Sequence, residues 1–423
     1  MSDITRILKG KINKNIVLLQ NFSYISLLQL FSMLMPLIIY PYLVRILGGE
    51  LYGWVILAQV IASYCSIIVD FGFKKVCAKY VSIYRNDKAK LSNIMSSILI
   101  LRLFLWIISF IVYIIIISIV NDYCRSWLLF FFSFFVTFNE LLFPQFYFQG
   151  IEKMKFITII TMFIRLLSLI LIFVFVKQKT DYLLVPLMLS ISYLIGGMVA
   201  LYIIFFKDKL KFVFPKYGDL KFYFLDALPI FMTDAICTIK DKLNYILLGN
   251  FLGGSSIVIF DLGTKFSNVL LKPVEVLNTV LFPKIAKERN LSFIKKIAML
   301  ILLLNVLLVI VFNVFLPEIV LLFIPGSIDL WPIRIYTLVP IILGLSSYIS
   351  SNVLISLGYN KYLLYSIVFT TFIYLFILFF MYINDYLNSV FSFILLSVLS
   401  YFGELIFRLL MAIRIFKLEK NNN

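Results

Sequence analysis

The chain has 423 residues, 62% hydrophobic and 14% charged, with a formal net charge of +17. Apolar runs this frequent exclude a soluble globule and leave an integral membrane protein. With no histidine and only the scattered Cys65, Cys77, Cys124 and Cys237, the sequence excludes zinc hydrolysis, His-activated nucleophiles and a disulfide framework. No cofactor or metal is expected.

About twelve stretches are long enough to cross a bilayer as helices, near 16–44, 51–73, 93–120, 124–148, 156–176, 182–206, 223–248, 257–283, 297–324, 332–356, 362–383 and 390–415. The basic residues fall in alternate short loops, which is a topology signal rather than a nucleic-acid patch. With the N terminus inside, the inner segments hold roughly 26 basic residues and the outer ones roughly 4. Both termini are therefore expected in the cytoplasm.

The chain opens on a short basic amphipathic segment, with Ile4, Ile7, Leu8 and Ile12 against Arg6, Lys9, Lys11 and Lys14. Such a segment suits an anionic leaflet and equally serves as a topology signal. The first span interleaves Gln29, Ser32, Pro36 and Tyr40, and Pro36 and Pro41 remove backbone donors near its outer end. Arg45 and the turn LGGELYG at 47–53 follow. In the second span Gln59, Ser63, Ser66 and Asp70 lie on one helical face. Further on, Arg102, Glu140 and Arg165 lie within or near apolar runs.

The polar stretch 207–222 is the natural cytoplasmic linker between an N-terminal bundle, 1–206, and a C-terminal bundle, 223–423. In the seventh span Asp226, Asp234 and Asp241 fall close to one face, beside Pro229, Lys240 and Lys242. The eighth carries the strongest signal, because Asp261, Lys265, Asn268, Lys272 and Glu275 step by four, three, four and three along one face. An ionisable group at the bilayer centre costs about 2.5 to 3.5 kcal/mol on insertion scales, so this stripe cannot face lipid. Two readings follow: a hydrated path through the bundle, or a stripe that pairs with itself. In the twelfth span Glu404 and Arg408 stand at ion-pair spacing.

LGG at 47–49 recurs at 252–254, and the offset of about 205 residues also lays Gln59 on Thr264, Ser63 on Asn268 and Asp70 on Glu275. The expected fold is all-α, with two six-helix bundles related by a pseudo-two-fold axis along the membrane normal.

The segment PQFYFQGIEKM at 144–154 resembles a signature of polysaccharide translocases, the bacterial O-antigen flippases of the Wzx type. Pro41, Arg45, LGGELYG, Asp70-Phe71-Gly72, LFPKIA at 281–286 and Leu357-Gly358 are similar to the same family, with Pro36, Gln149 and Gly150 as further motif positions. Where the family often has Gly-x-Tyr after the second LGG, this chain has Val258, Ile259 and Phe260.

The resemblance implies a transporter of the multidrug, oligosaccharidyl-lipid and polysaccharide exporter superfamily in the bacterial inner membrane. Its cargo would be an oligosaccharide on undecaprenyl pyrophosphate, moved to the periplasmic leaflet by alternating access. Polymerase and chain-length regulator proteins would be its partners, and nucleic acid would not. A pyrophosphate needs cations in a low-dielectric cavity, and Lys265, Lys272, Arg165 and Lys240, with Asn268, are the candidates for cargo binding. Asp70, Asp234, Asp241, Asp261 and Glu275 are candidates for coupling or charge balance. The rival readings are a cation-coupled multidrug exporter and a multispanning glycan polymerase, although a polymerase would carry a long outer loop.

Overall fold

The computed structural model describes the backbone of residues 2–326 and 328–422, and side chains within 20–419 except at 22, 283, 284, 327 and 360. The side chains of the N-terminal basic segment and of Pro283 and Lys284 in the LFPKIA motif thus lie outside the described residues. Every regular element among the described residues is helical.

Ten helices among the described residues are long and apolar enough to cross a membrane. The first, Ser23–Ile83, holds both the first and second expected spans, because the path breaks at Gly48 (φ 79, ψ 163). Pro36 and Pro41 lie within the helix before that break. The eighth expected span is the helix Gly254–Glu288, which is not among the ten. Its apolar run is interrupted by the polar stripe, which accounts for its lower hydropathy. Counted in this way, the twelve expected spans are all present as helices.

The chain divides into two compact units, residues 1–48 with 55–239, and residues 49–54 with 240–423. The stretch 207–222 lies within the first unit, and the helix Tyr217–Leu252 supplies residues to both.

In the first unit, close packing depends on small residues where helices meet, as expected where lipid gives no hydrophobic drive between helices. A Cβ on Gly150 would come within 2.6 Å of the Val81 side chain, and one on Gly197 within 2.4 Å of Leu142 Cβ. Gly150, the end of the FQG motif, is therefore a packing position against the helix Phe73–Ile83. Gly72 ends the second span in a left-handed turn (φ 77), and beside it Phe71 stacks on Phe224 and Phe231 at centroid distances of 4.4 and 4.3 Å.

In the second unit the apolar core includes Val274, Ile285, Ile301, Tyr348 and Ile415. A single π-helical turn, Ser350–Ile355, interrupts the tenth span and buries Asn352. Such turns occur mostly as local bulges and are frequent at functional sites.

Candidate functional site

The helix that carries the polar stripe is anchored at its N-terminal end by a residue from far back in the chain. The Glu50 carboxylate accepts hydrogen bonds from the backbone N–H of Gly254 at 2.9 Å and of Ser255 at 3.0 Å, from Ser255 Oγ at 3.2 Å and from Trp54 Nε1 at 3.1 Å. These first N–H groups of the helix Gly254–Glu288 have no partner within the helix, so a carboxylate there satisfies them and meets the positive end of the helix dipole. The approach needs glycine: a Cβ on Gly53 would stand 1.9 Å from the Gly254 carbonyl oxygen.

Along the stripe, Asp261 pairs with Lys265 and accepts a hydrogen bond from Tyr245 Oη at 3.1 Å, while Lys272 pairs with Glu275. Asp261 is buried, whereas the Lys272 and Glu275 side chains are 36% and 49% exposed. The Lys272 and Glu275 pair is the more open of the two, and in the other pair Asp261 is held in the packing while Lys265 is 26% exposed. Asn268 is set differently. With Asp241, Lys242, Tyr245, Thr264, Ser267, Tyr336 and Tyr401 it lines a cavity of about 260 Å³. The buried Ser267 Oγ in that lining has no hydrogen-bond partner.

Beside this cavity lies a charge chain that spacing alone shows only in part. Lys240 Nζ is 3.5 Å from Asp241 and 3.9 Å from Glu404, and it lies over the Tyr401 ring at 5.3 Å from the centroid. Glu404 in turn pairs with Arg408 at 2.7 Å, and Arg408 donates to Ser346 Oγ at 2.9 Å and Ser366 Oγ at 3.1 Å. Pairing of Glu404 with Arg408 was legible from their spacing; their link to Lys240 is tertiary. Together these groups set Lys240, Lys242, Lys265, Lys272 and Arg408 against Asp241, Asp261, Glu275 and Glu404, with one positive charge in excess.

A second cavity of about 400 Å³ is lined by Glu275, Asn278, Thr279, Phe282, Ser347, Ser351 and Ile355. Asn278 donates to Ser347 Oγ at 3.3 Å and accepts from Asn352 Nδ2 at 3.2 Å, and Asn352 Oδ1 is buried without a partner. Sequence reading missed Asn278 and Thr279, although both continue the stripe three and four residues past Glu275.

In the first unit, Asp70 meets Arg102 at 2.6 Å, and Arg102 is 1% exposed. Its guanidinium also lies over the Phe146 ring at 5.3 Å, while Nε and Nη1 have no hydrogen-bond partner. Glu140 is within electrostatic reach of both Asp70 and Arg102 and accepts from Asn139 Nδ2 at 2.7 Å. Arg165 makes one long hydrogen bond, at 3.5 Å, to the Ser32 carbonyl oxygen. Asp234 pairs with Lys75 at 2.7 Å, and Asp226 accepts from Tyr80 Oη at 2.8 Å. Gln149 and Arg45 are exposed. The candidates thus separate into an Asp261, Lys265, Asn268, Lys272, Glu275, Lys240 and Asp241 group in the second unit and the Asp70, Arg165 and Asp234 positions in the first.

The sequence profile of the family described as "Polysaccharide biosynthesis protein" matches residues 18–289. A protein of Escherichia coli (strain K12) described as "Putative O-antigen transporter" is 24% identical over 281 residues, 66% of this chain and 68% of that protein. One of the same description from Shigella dysenteriae is 25% identical over 268 residues, 62% of this chain and 66% of that protein. Among solved structures, the lipid II flippase MurJ in an inward closed conformation gives a TM-score of 0.71 at 15% identity, covering 91% of this chain and 86% of that one. An inward-facing multidrug resistance transporter of the MATE family in the MOP superfamily gives 0.65 at 13% identity, covering 94% and 96%. At such identities the structural likeness speaks for the fold alone.

Proposed function

The chain belongs to the polysaccharide biosynthesis protein family, and from that premise we propose that it carries lipid-linked oligosaccharide repeat units for a surface polysaccharide from the cytoplasmic to the outer leaflet of the inner membrane. It is a membrane transporter and not an enzyme, in keeping with relatives described as O-antigen transporters.

The observation that carries the reading is the cavity in the second unit, where Asn268, Thr264, Ser267 and three tyrosines stand beside Lys242 and Asp241. Hydroxyls and a side-chain amide can both donate to and accept from sugar hydroxyls, which an exporter of apolar cations would not need. In this reading the cargo is an oligosaccharide on undecaprenyl pyrophosphate, whose lipid tail stays in the bilayer.

Charge pairing among these groups supports an exchange mechanism. An unpaired ion at membrane depth is costly, so Lys240, Lys265 and Lys272 are held against Asp241 or Glu404, Asp261 and Glu275. An incoming pyrophosphate competes with those carboxylates for the lysines, and the head group crosses by alternating access. The test is a leaflet-resolved assay of lipid-linked repeat units in cells with and without the gene. Loss of the protein is expected to trap the units on the cytoplasmic leaflet. Single units accumulating on the outer leaflet would instead indicate a polymerase.

A further inference from the structure

The stretch 207–222 has a surface that transport of the cargo does not explain. It is irregular from residue 209 to 216, yet it is firmly held. The backbone N–H of Lys211 donates to Ser92 Oγ at 3.1 Å and that of Val213 to Ser96 Oγ at 3.0 Å, while Leu210 is buried in the first unit's apolar core. Serine hydroxyls thus replace the missing backbone partners, and the segment lies along the first turns of the helix Lys88–Ile119.

That position fixes its depth. The helix has 32 residues. At 1.5 Å per residue its length is about 48 Å, against a hydrocarbon thickness of about 30 Å, so its ends extend into the headgroup layers. A strap on its first turns lies in such a layer.

Its charges are sorted by direction. Both acids turn toward the protein: Asp208 accepts from Tyr147 Oη at 2.9 Å and pairs with Lys153 at 3.2 Å, and Asp219 accepts from Asn93 Nδ2 at 3.0 Å. All five lysines, Lys207, Lys209, Lys211, Lys216 and Lys221, are exposed. Between them stand Phe212, Phe214 and Tyr217, and Phe222 follows Lys221, with Phe214 and Tyr217 at 85% and 79% exposure.

Cations alternating with outward aromatic rings, at headgroup depth, match a layer that is anionic at the surface and apolar just beneath it. We propose that residues 207–222 are a docking strap for anionic phospholipid headgroups, with the lysines on lipid phosphates and Phe212 and Phe214 inserted at the acyl boundary. The strap is cationic because its carboxylates are already engaged by Tyr147, Lys153 and Asn93. A carboxylate-rich soluble protein would suit the lysines but would leave the two phenylalanines in water.

The test places a nitroxide at a single cysteine, Phe214→Cys, in full-length protein whose other cysteines are serine. The protein is reconstituted in vesicles of phosphatidylglycerol or of phosphatidylcholine, and collision with oxygen and with a water-soluble nickel chelate reads the depth of the label. The nitroxide is expected to be oxygen-accessible and nickel-shielded in phosphatidylglycerol, and to move toward water in phosphatidylcholine. Neutralising Lys209, Lys211, Lys216 and Lys221 to Gln should produce the same outward shift in phosphatidylglycerol. Equal depth in the two lipids, or a water-exposed label in phosphatidylglycerol, overturns the proposal. The comparison of lipids needs only the labelled protein, so it stands even if the lysine variant folds poorly.

Discussion

Gly48 and Gly253, the central residues of the two LGG motifs, hold the same backbone conformation: φ 79, ψ 163 at the first and φ 83, ψ −178 at the second. Positive φ with extended ψ is a region essentially confined to glycine. The recurrence of LGG is therefore a recurrence of one turn, placed before the second span and before the helix Gly254–Glu288. It strengthens the internal repeat at the level of local structure, beyond three matching letters.

Substituting either glycine is expected to destabilise the protein by about 1 to 3 kcal/mol, the ordinary cost of such a backbone region for an L side chain. At Gly48 the loss is purely conformational, since a Cβ there meets nothing within 4 Å. Gly218 also faces open space but has no positive φ, so Gly218→Ala serves as the neutral control. Thermal melting of purified Gly48→Ala, Gly253→Ala and Gly218→Ala in one detergent checks the order.

Glu50 supports a second prediction on the same turn. Glu50→Ala leaves the N–H groups of Gly254 and Ser255 without their carboxylate, and by analogy with lost helix caps should cost about 0.5 to 2 kcal/mol. Glu50→Gln keeps an acceptor and loses the charge, so its melting temperature should fall between wild type and alanine. A glutamine variant as unstable as the alanine one would assign the effect to the charge alone.

Local spacing made the spans and the stripe legible, because apolar length and steps of three and four are properties of one helix. It also gave the Glu404 and Arg408 pair. What stayed hidden depends on distant partners. Glu50 meets Gly254 across 204 residues of chain, and Lys240 reaches Glu404 only through the packing of two helices. Asp70 shows a related limit: spacing places it on one face of the second span, whereas its partner in the folded chain, Arg102, lies 32 residues further on. The π-helical turn at Ser350–Ile355 left no trace in the apolar pattern, since one extra residue in a turn does not change which residues are hydrophobic.

The Asp70 and Arg102 pair yields a third prediction. Removing one member of a buried pair typically costs about 3 to 5 kcal/mol, because the other is left as an uncompensated charge. Asp70→Leu should accordingly destabilise strongly, since Arg102 has no exposure through which water could reach it. Replacing both, as Asp70→Leu with Arg102→Met, should recover part of the loss if the pair is structural, the remainder reflecting Glu140, which loses its Arg102 neighbour. Detergent melting of the two single variants and the double gives the coupling directly.

Lys272 separates the two readings of the stripe. It pairs with Glu275, and both side chains are more than a third exposed, so the contact itself contributes little to stability and protein abundance should survive its loss. If Lys272 binds the cargo's pyrophosphate, Lys272→Ala should abolish surface polysaccharide at near-normal protein levels. Lys272→Arg should retain partial activity, because the charge survives while the geometry changes. If Lys272 only neutralises Glu275, then Lys272→Met with Glu275→Gln should restore function, since no unpaired ion remains at membrane depth. Complementation of a deletion strain, scored for surface polysaccharide beside immunoblots of the membrane fraction, distinguishes the cases. Continued loss in the double variant at normal abundance sustains the cargo-binding role, and rescue removes it.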